Sequence, residues 1–86
     1  MDILIDYRYW ERGTPKSAAQ TLTIQRLGPG ELVPDPGDVV ELVDERSEEP
    51  ATRRYRVVER AGIATQGIGE SNGITGRTVD VYVREA

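Results

Sequence analysis

Apolar residues recur at every second position along this chain, in short runs cut by Gly, Pro, Asp and Asn. From Ile3 to Trp10, residues Ile3, Ile5, Tyr7 and Tyr9 share one face, and Asp2, Leu4, Asp6, Arg8 and Trp10 share the other. Period-two alternation in β-branched and aromatic residues predicts a strand with one wetter face. Thr21 to Leu27 repeats the pattern, with Leu22 and Ile24 opposite Thr21, Thr23 and Gln25; the threonines favour strand over helix. Val39 to Glu45 carries apolar residues on both faces, which predicts a central or strongly twisted strand. Arg53 to Ile63 sets Tyr55 and Val57 against Arg56, Val58 and Arg60, with Gly62 as a bulge. Thr78 to Arg84 is the cleanest run, with Val79, Val81 and Val83 on one side and Thr78, Asp80, Tyr82 and Arg84 on the other. A sixth strand, Ile63 to Ile68, would pair across a turn at Ser71-Asn72-Gly73, where Asn and Gly accept positive φ.

The segments between these runs read as turns. Thr14 to Ala19 offers a single helical turn, with Thr14 as N-cap and Pro15 at the first helical position. It is too short to persist without tertiary support and is read as loop. Gly28 to Gly37 holds three Gly and three Pro, which predicts a connection without regular structure. Pro36-Gly37-Asp38 turns the chain into the next strand. Glu45 to Ala51 is a polar hairpin loop. With no internal repeat and no boundary, residues 1–86 are expected to form a single β domain. The predicted class is all-β: a small barrel of five to six antiparallel strands, SH3-like or oligonucleotide-binding-like, or a short sandwich. Closure is favoured because it removes sheet edges.

Composition narrows the chemistry. The 86 residues include no histidine and no cysteine, the side chains that most often move protons, attack as thiolates or ligate transition metals near neutral pH. A chain this short buries roughly 60–65% of its unfolded surface. Small scaffolds often add a disulfide or a metal; without cysteine, support must come from sheet packing or from a partner. No run approaches the ~18 apolar residues of a membrane span. The opening Met-Asp-Ile-Leu-Ile-Asp lacks the basic region of a signal peptide. The expected location is cytoplasmic, or the virion for a viral component.

Carboxylates are the one abundant catalytic group, fifteen in all. Glycosidase-type chemistry needs two of them facing one bond, and Asp6, Asp44 and Asp80 sit among apolar strand residues as the better candidates. A barrel this small leaves little room for a sugar-sized cleft. Gly67 to Gly73 spells G-x-G-x-x-x-G, out of step with the dinucleotide fingerprint and without a following helix, so it reads as a hairpin or binding loop. Ser17, Ser47 and Ser71 have no histidine to activate them. No catalytic residue, metal or cofactor is expected, and the chain is read as no enzyme.

Charge distribution carries more information. Seven acids and one base lie between Asp35 and Glu49, a local charge of −6 in a chain of net −4. Arg53, Arg54, Arg56 and Arg60 follow against Glu59, a local +3. One reading is cross-ladder pairing in a hairpin, each exposed pair contributing only ~0–1 kcal/mol. The other is a two-signed surface that docks a charged partner. Ten arginines against the single Lys16 have the same ambiguity: codon bias of a GC-rich genome, or guanidinium forks for carboxylates at an interface. Trp10 is either core or an interface anchor, a role in which Trp and Arg dominate. Tyr7-Arg8-Tyr9-Trp10 and Arg53-Arg54-Tyr55-Arg56 supply residue types that bind single-stranded nucleic acid, but a pI near 4.8 opposes it.

The expected function is a non-enzymatic protein-interaction or assembly module: an accessory subunit, a phage or virion joining component, or a small inhibitor. Its partner is another protein, homo-oligomers and larger assemblies included, and no membrane; a nucleic-acid-binding barrel is the alternative. The expected partner-binding residues are Trp10, Arg12, Asp35, Asp38, Glu45, Glu48, Glu49, Arg53 and Arg54.

Overall fold

Among the described residues, five strands form one mixed sheet curled into a half-barrel. They are β1 (Asp2–Tyr9), β2 (Gln20–Arg26), β3 (Val39–Val43), β4 (Thr52–Arg60) and β5 (Gly76–Glu85), in the spatial order β2-β1-β5-β4-β3. The structure, a computed structural model, describes residues 2–61 and 76–86. The expected bulge at Gly62, the sixth strand at Ile63–Ile68, the Ser71-Asn72-Gly73 turn and the Gly67–Gly73 pattern lie outside the described residues.

The all-β class is as the alternation predicts. Pairing is antiparallel for β1/β2, β3/β4 and β4/β5, but β1 and β5 run parallel, from Asp2↔Gly76 to Tyr9↔Val83. The expectation of uniformly antiparallel strands is therefore corrected at this one pair. The last strand enters the middle of the sheet, where it gains a ladder on both sides and fully buries Val79, Val81 and Val83. β3 is likewise an edge strand rather than a central one. Its Leu42 is buried, while Val39 and Val43 stand on the outer face, 47% and 38% exposed. Its two-sided apolar pattern reflects exposed valines at an edge, not burial from two sides.

The core lies on the concave face. Ile5 and Tyr7 from β1, Leu22, Leu42, Tyr55 and Val57, with the three β5 valines, form it, and Ile3, Tyr9, Leu27, Val33 and Val40 pack around it. Among the described residues two bulges bend the sheet, as bulged strands do. In β2 the register slips between Tyr7 and Arg8, so that Leu22 has no direct partner. That slip turns Leu22 inward (1% exposed) and Ile24 outward (55%), while Thr23 opposite Tyr7 is buried. The expected shared face of Leu22 and Ile24 is thus broken by one residue, as period-two geometry requires. A matching slip in β4 between Val57 and Glu59 sets Glu59 beside Tyr82.

Between β1 and β2, a 3₁₀ turn at Lys16–Ala18 replaces the expected loop, begun by Pro15 with no side-chain cap. Thr14 instead donates its hydroxyl to the Glu11 carbonyl at 2.7 Å. The Gly- and Pro-rich connection from β2 to β3 packs against the sheet. Its Gly28 N–H donates to Glu31 Oε1 at 2.8 Å, its Gly30 and Gly37 take φ of 80° and 98°, and Leu27 and Val33 rest on the core. Positive φ is a conformation glycine adopts without steric cost.

Candidate functional site

The order of the strands leaves β2 and β3 as the two edges, and curling brings them toward each other. At the rim formed by the C-terminal ends of β1, β3 and β5, the Glu45 N–H donates to the Leu22 carbonyl at 3.0 Å. Arg46 completes that closure. Its guanidinium grips Asp44 through Nε–H to Oδ1 at 2.9 Å and Nη2–H to Oδ2 at 2.8 Å, and lies 4.9 Å from the Tyr9 ring centroid. This hydrogen-bonded pairing with Arg46 holds the Asp44 carboxyl at about 2, well below the usual carboxylate range. The lowered value favours the charged carboxylate in its pairing with Arg46. Toward the other rim the edges splay, and the space between them is a groove of about 290 Å³ lined by Ile5, Tyr7, Leu27, Glu31, Val40 and Leu42. Burial, with Glu31 adding its negative charge, pushes the Tyr7 phenol up from its ordinary value of 10.0.

The free edge of β3 follows from hydrogen-bond alternation. Val57 N–H donates to the Asp38 carbonyl at 2.8 Å and Asp44 N–H to the Ala51 carbonyl at 3.2 Å, so the even residues of β3 face β4. The main-chain N–H and C=O of Val39, Glu41 and Val43 point the other way, where no strand among the described residues lies beside them. Glu45, two residues on, is the point at which that edge finds β2.

The convex face carries a second cluster near the same closed rim. Trp10 is half-buried, neither core nor a bare anchor. Its indole N–H donates to the Thr14 carbonyl at 2.7 Å, its ring meets Tyr82 edge-to-face at 5.8 Å, and Lys16 and Arg84 lie over it at 5.6 and 5.4 Å. Lys16 also forms an ion pair with Glu59. Beside this cluster Arg84 and Arg56 are direct cross-strand partners. Each spends a donor on a carbonyl, Arg84 Nε–H to Trp10 O and Arg56 Nη1–H to Gly37 O, both at 3.3 Å. Neither has a carboxylate partner among the described residues. Deeper on this face, Asp6 accepts from Thr21 Oγ1 at 2.8 Å and Arg8 Nη1 at 3.2 Å, and faces Asp80 across the parallel ladder.

The nine expected residues divide between the two rims. Trp10 and Arg12 belong to the β1–β2 connection, and Glu45, Glu48, Glu49, Arg53 and Arg54 to the β3–β4 hairpin at the closed rim. Asp35 and Asp38 lie at the opposite rim, just before β3. There Asp38 Oδ2 accepts the Asp35 N–H at 2.9 Å and Asp35 pairs with Arg60 at 3.2 Å. The run of acids is thus not one patch. Part of it lies along the ladder, where Glu41 and Arg54, both exposed, face each other at 3.8 Å. Glu45, Glu48 and Glu49 remain exposed without ion pairs among the described residues. The pattern along the chain gave no sign of Lys16, Arg56, Glu59, Tyr82 and Arg84 around Trp10. They come from three separate segments, united by the parallel β1/β5 and the antiparallel β4/β5 registers.

Among the described residues, no group of three or more carboxylates converges to hold a metal ion, and no helix is long and apolar enough to cross a membrane. No protein-family model, no curated protein and no solved structure matches the chain.

Proposed function

We propose that this protein is a non-enzymatic interaction or assembly module that accepts an extended, basic segment of a partner protein along the free edge of β3. The observation that supports this reading best is the unfinished barrel: strand β3 offers the outward main-chain groups of Val39, Glu41 and Val43 at a sheet edge. Proteins usually blunt such edges, because a row of unpaired donors and acceptors templates further pairing. A partner strand added there gains main-chain hydrogen bonds, with specificity from alternate side chains. Glu41 within the edge and Glu45, Glu48 and Glu49 beyond it favour arginine or lysine at those alternate positions and raise the rate of encounter. The absence of histidine and cysteine, the engagement of Asp6 by Arg8 and Thr21, and the pairing of Asp44 with Arg46 are in keeping with a role by contact. Such a part suits an accessory subunit, a phage or virion joining component or an inhibitor, acting in the cytoplasm or in a virion.

The test is a titration of ¹⁵N-labelled protein with a short synthetic peptide alternating valine and arginine, beside one alternating valine and aspartate. The reading expects amide shifts centred on Val39, Glu41 and Val43 with the basic peptide, reduced in Glu41→Lys. Equal response to both peptides, or shifts that avoid β3, would overturn it.

A further inference from the structure

From the groove at the splayed rim we infer the partner's anchor: one lysine side chain of the segment docked on β3 enters it, its stem against Leu27 and Val40 and its ammonium group at Tyr7 and Glu31. The inference rests on the docking reading above and adds the residue that one position of the partner carries. β3 turns Val40 and Leu42 to the concave side, where Leu42 is buried, Val40 packs against the core and both line the groove of about 290 Å³. Residues directly opposite each other on paired strands project from the same face, and successive residues from opposite faces. The partner residue beside Val40 therefore points into the groove, while the one beside Glu41 stays on the convex side.

Two polar groups of the groove are left without their usual partners. Tyr7 lines it and is only 4% exposed, yet its hydroxyl makes no hydrogen bond to any described residue. A buried tyrosine ordinarily ends on a partner. Glu31 lies on the connection at the exposed mouth and pairs with no cation among the described residues. Its Oε1 accepts the Gly28 N–H at 2.8 Å, and a Cβ at position 28 would overlap that oxygen. Glycine at 28 thus lets the carboxylate fold back and be held over the groove. Its charge reaches Tyr7, whose phenol is raised by burial first and by Glu31 second. Arg26 also lines the groove and is itself engaged. An occupant must cross an apolar wall and then present donors to a carboxylate and a phenol oxygen. Lysine does both, with a long aliphatic stem and a head that only donates. Valine or leucine would cover the wall and leave Tyr7 and Glu31 unmet.

Titration of ¹⁵N-labelled protein with derivatives of the valine–arginine peptide tests this. One derivative replaces the central valine by lysine, the other by norleucine, which has the same stem without the charge. The lysine peptide should bind about tenfold tighter than the norleucine peptide, and its amide shifts should extend from β3 to Leu27 and Gly28. Glu31→Gln should bring the two to equal affinity, and Gly28→Ala should do the same by displacing the carboxylate. Tyr7→Phe removes only an unbonded hydroxyl and should narrow the preference by about threefold. Equal affinity of the two derivatives for the wild type, or a lysine preference that survives Glu31→Gln, would overturn the inference and leave the β3 reading standing. If no peptide shifts Val39, Glu41 and Val43, the β3 reading falls and takes the inference with it. Butylamine at the same concentration should leave Leu27 and Gly28 unshifted; shifts equal to those of the lysine peptide would assign the groove to a free amine and overturn the lysine anchor.

Discussion

The Glu45 N–H reaches across the sheet's open seam to the Leu22 carbonyl, 3.0 Å away, joining the first edge strand to the segment that leaves the last. Through this bond a five-stranded sheet becomes a half-barrel closed at one rim. Proline at position 45 removes the donor and should cost about 1–3 kcal/mol, the range for a hydrogen bond lost with one partner left behind. Alanine there keeps the N–H and should stay within about 0.5 kcal/mol of wild type. Urea denaturation of the pair separates the main-chain bond from the side chain.

Leu22 and Ile24 are two residues apart and live in opposite environments because of the β2 bulge. Leu22→Ala should lose about 2–5 kcal/mol, the usual cost of emptying a core site. Ile24→Ala should change stability by no more than about 0.5 kcal/mol. Denaturation midpoints at a common slope check the contrast. Similar losses at both sites would mean that the strand runs without the bulge.

Much of the fold was legible in the chain. Alternation alone located the five strands to within one to three residues at most ends, and it grouped Ile5 with Tyr7, Tyr55 with Val57, and the three β5 valines on shared faces that the fold turns inward. What it lacked was long-range. Nothing local distinguishes a last strand that closes an edge from one that enters between β1 and β4, because that choice depends on which side the ladder extends. The fate of Ile24 turned on a single-residue register slip that the sequence 20–26 does not announce. The charged hairpin was half legible: Glu41 and Arg54 do face each other, but Asp35 and Asp38 went to the far rim, since β3 carries the chain across the sheet between them and the loop acids.

Asp44 gives the rim a pH dependence. Its carboxyl sits at about 2 in the folded protein, depressed from 3.8 by the hydrogen bonds and charge of Arg46. A depressed carboxyl stabilises the fold above its unfolded value, and that contribution disappears as pH falls from about 4 to about 2. Asp44→Asn should therefore be less stable than wild type at pH 6 and nearly equal to it at pH 2. Urea midpoints at both values measure this, and a difference independent of pH would contradict it.

Trp10 reports on the convex cluster. Half-buried between Tyr82, Lys16 and Arg84, it should show emission and iodide quenching intermediate between a buried and a free indole. Tyr82→Ala removes its edge-to-face partner, worth about 0.5–1.5 kcal/mol beyond simple burial. Emission should then shift to longer wavelength and quenching should rise. An unchanged spectrum would place Trp10 away from Tyr82.

The account rests on β3 having one paired side and one open side, and amide hydrogen exchange resolved residue by residue reads this directly. Val40 and Leu42, bonded to β4, should exchange slowly, while Val39, Glu41 and Val43 should exchange faster by orders of magnitude. Uniform protection along β3 would mean that the edge is already occupied within the chain, and the proposed docking strand would have nowhere to bind.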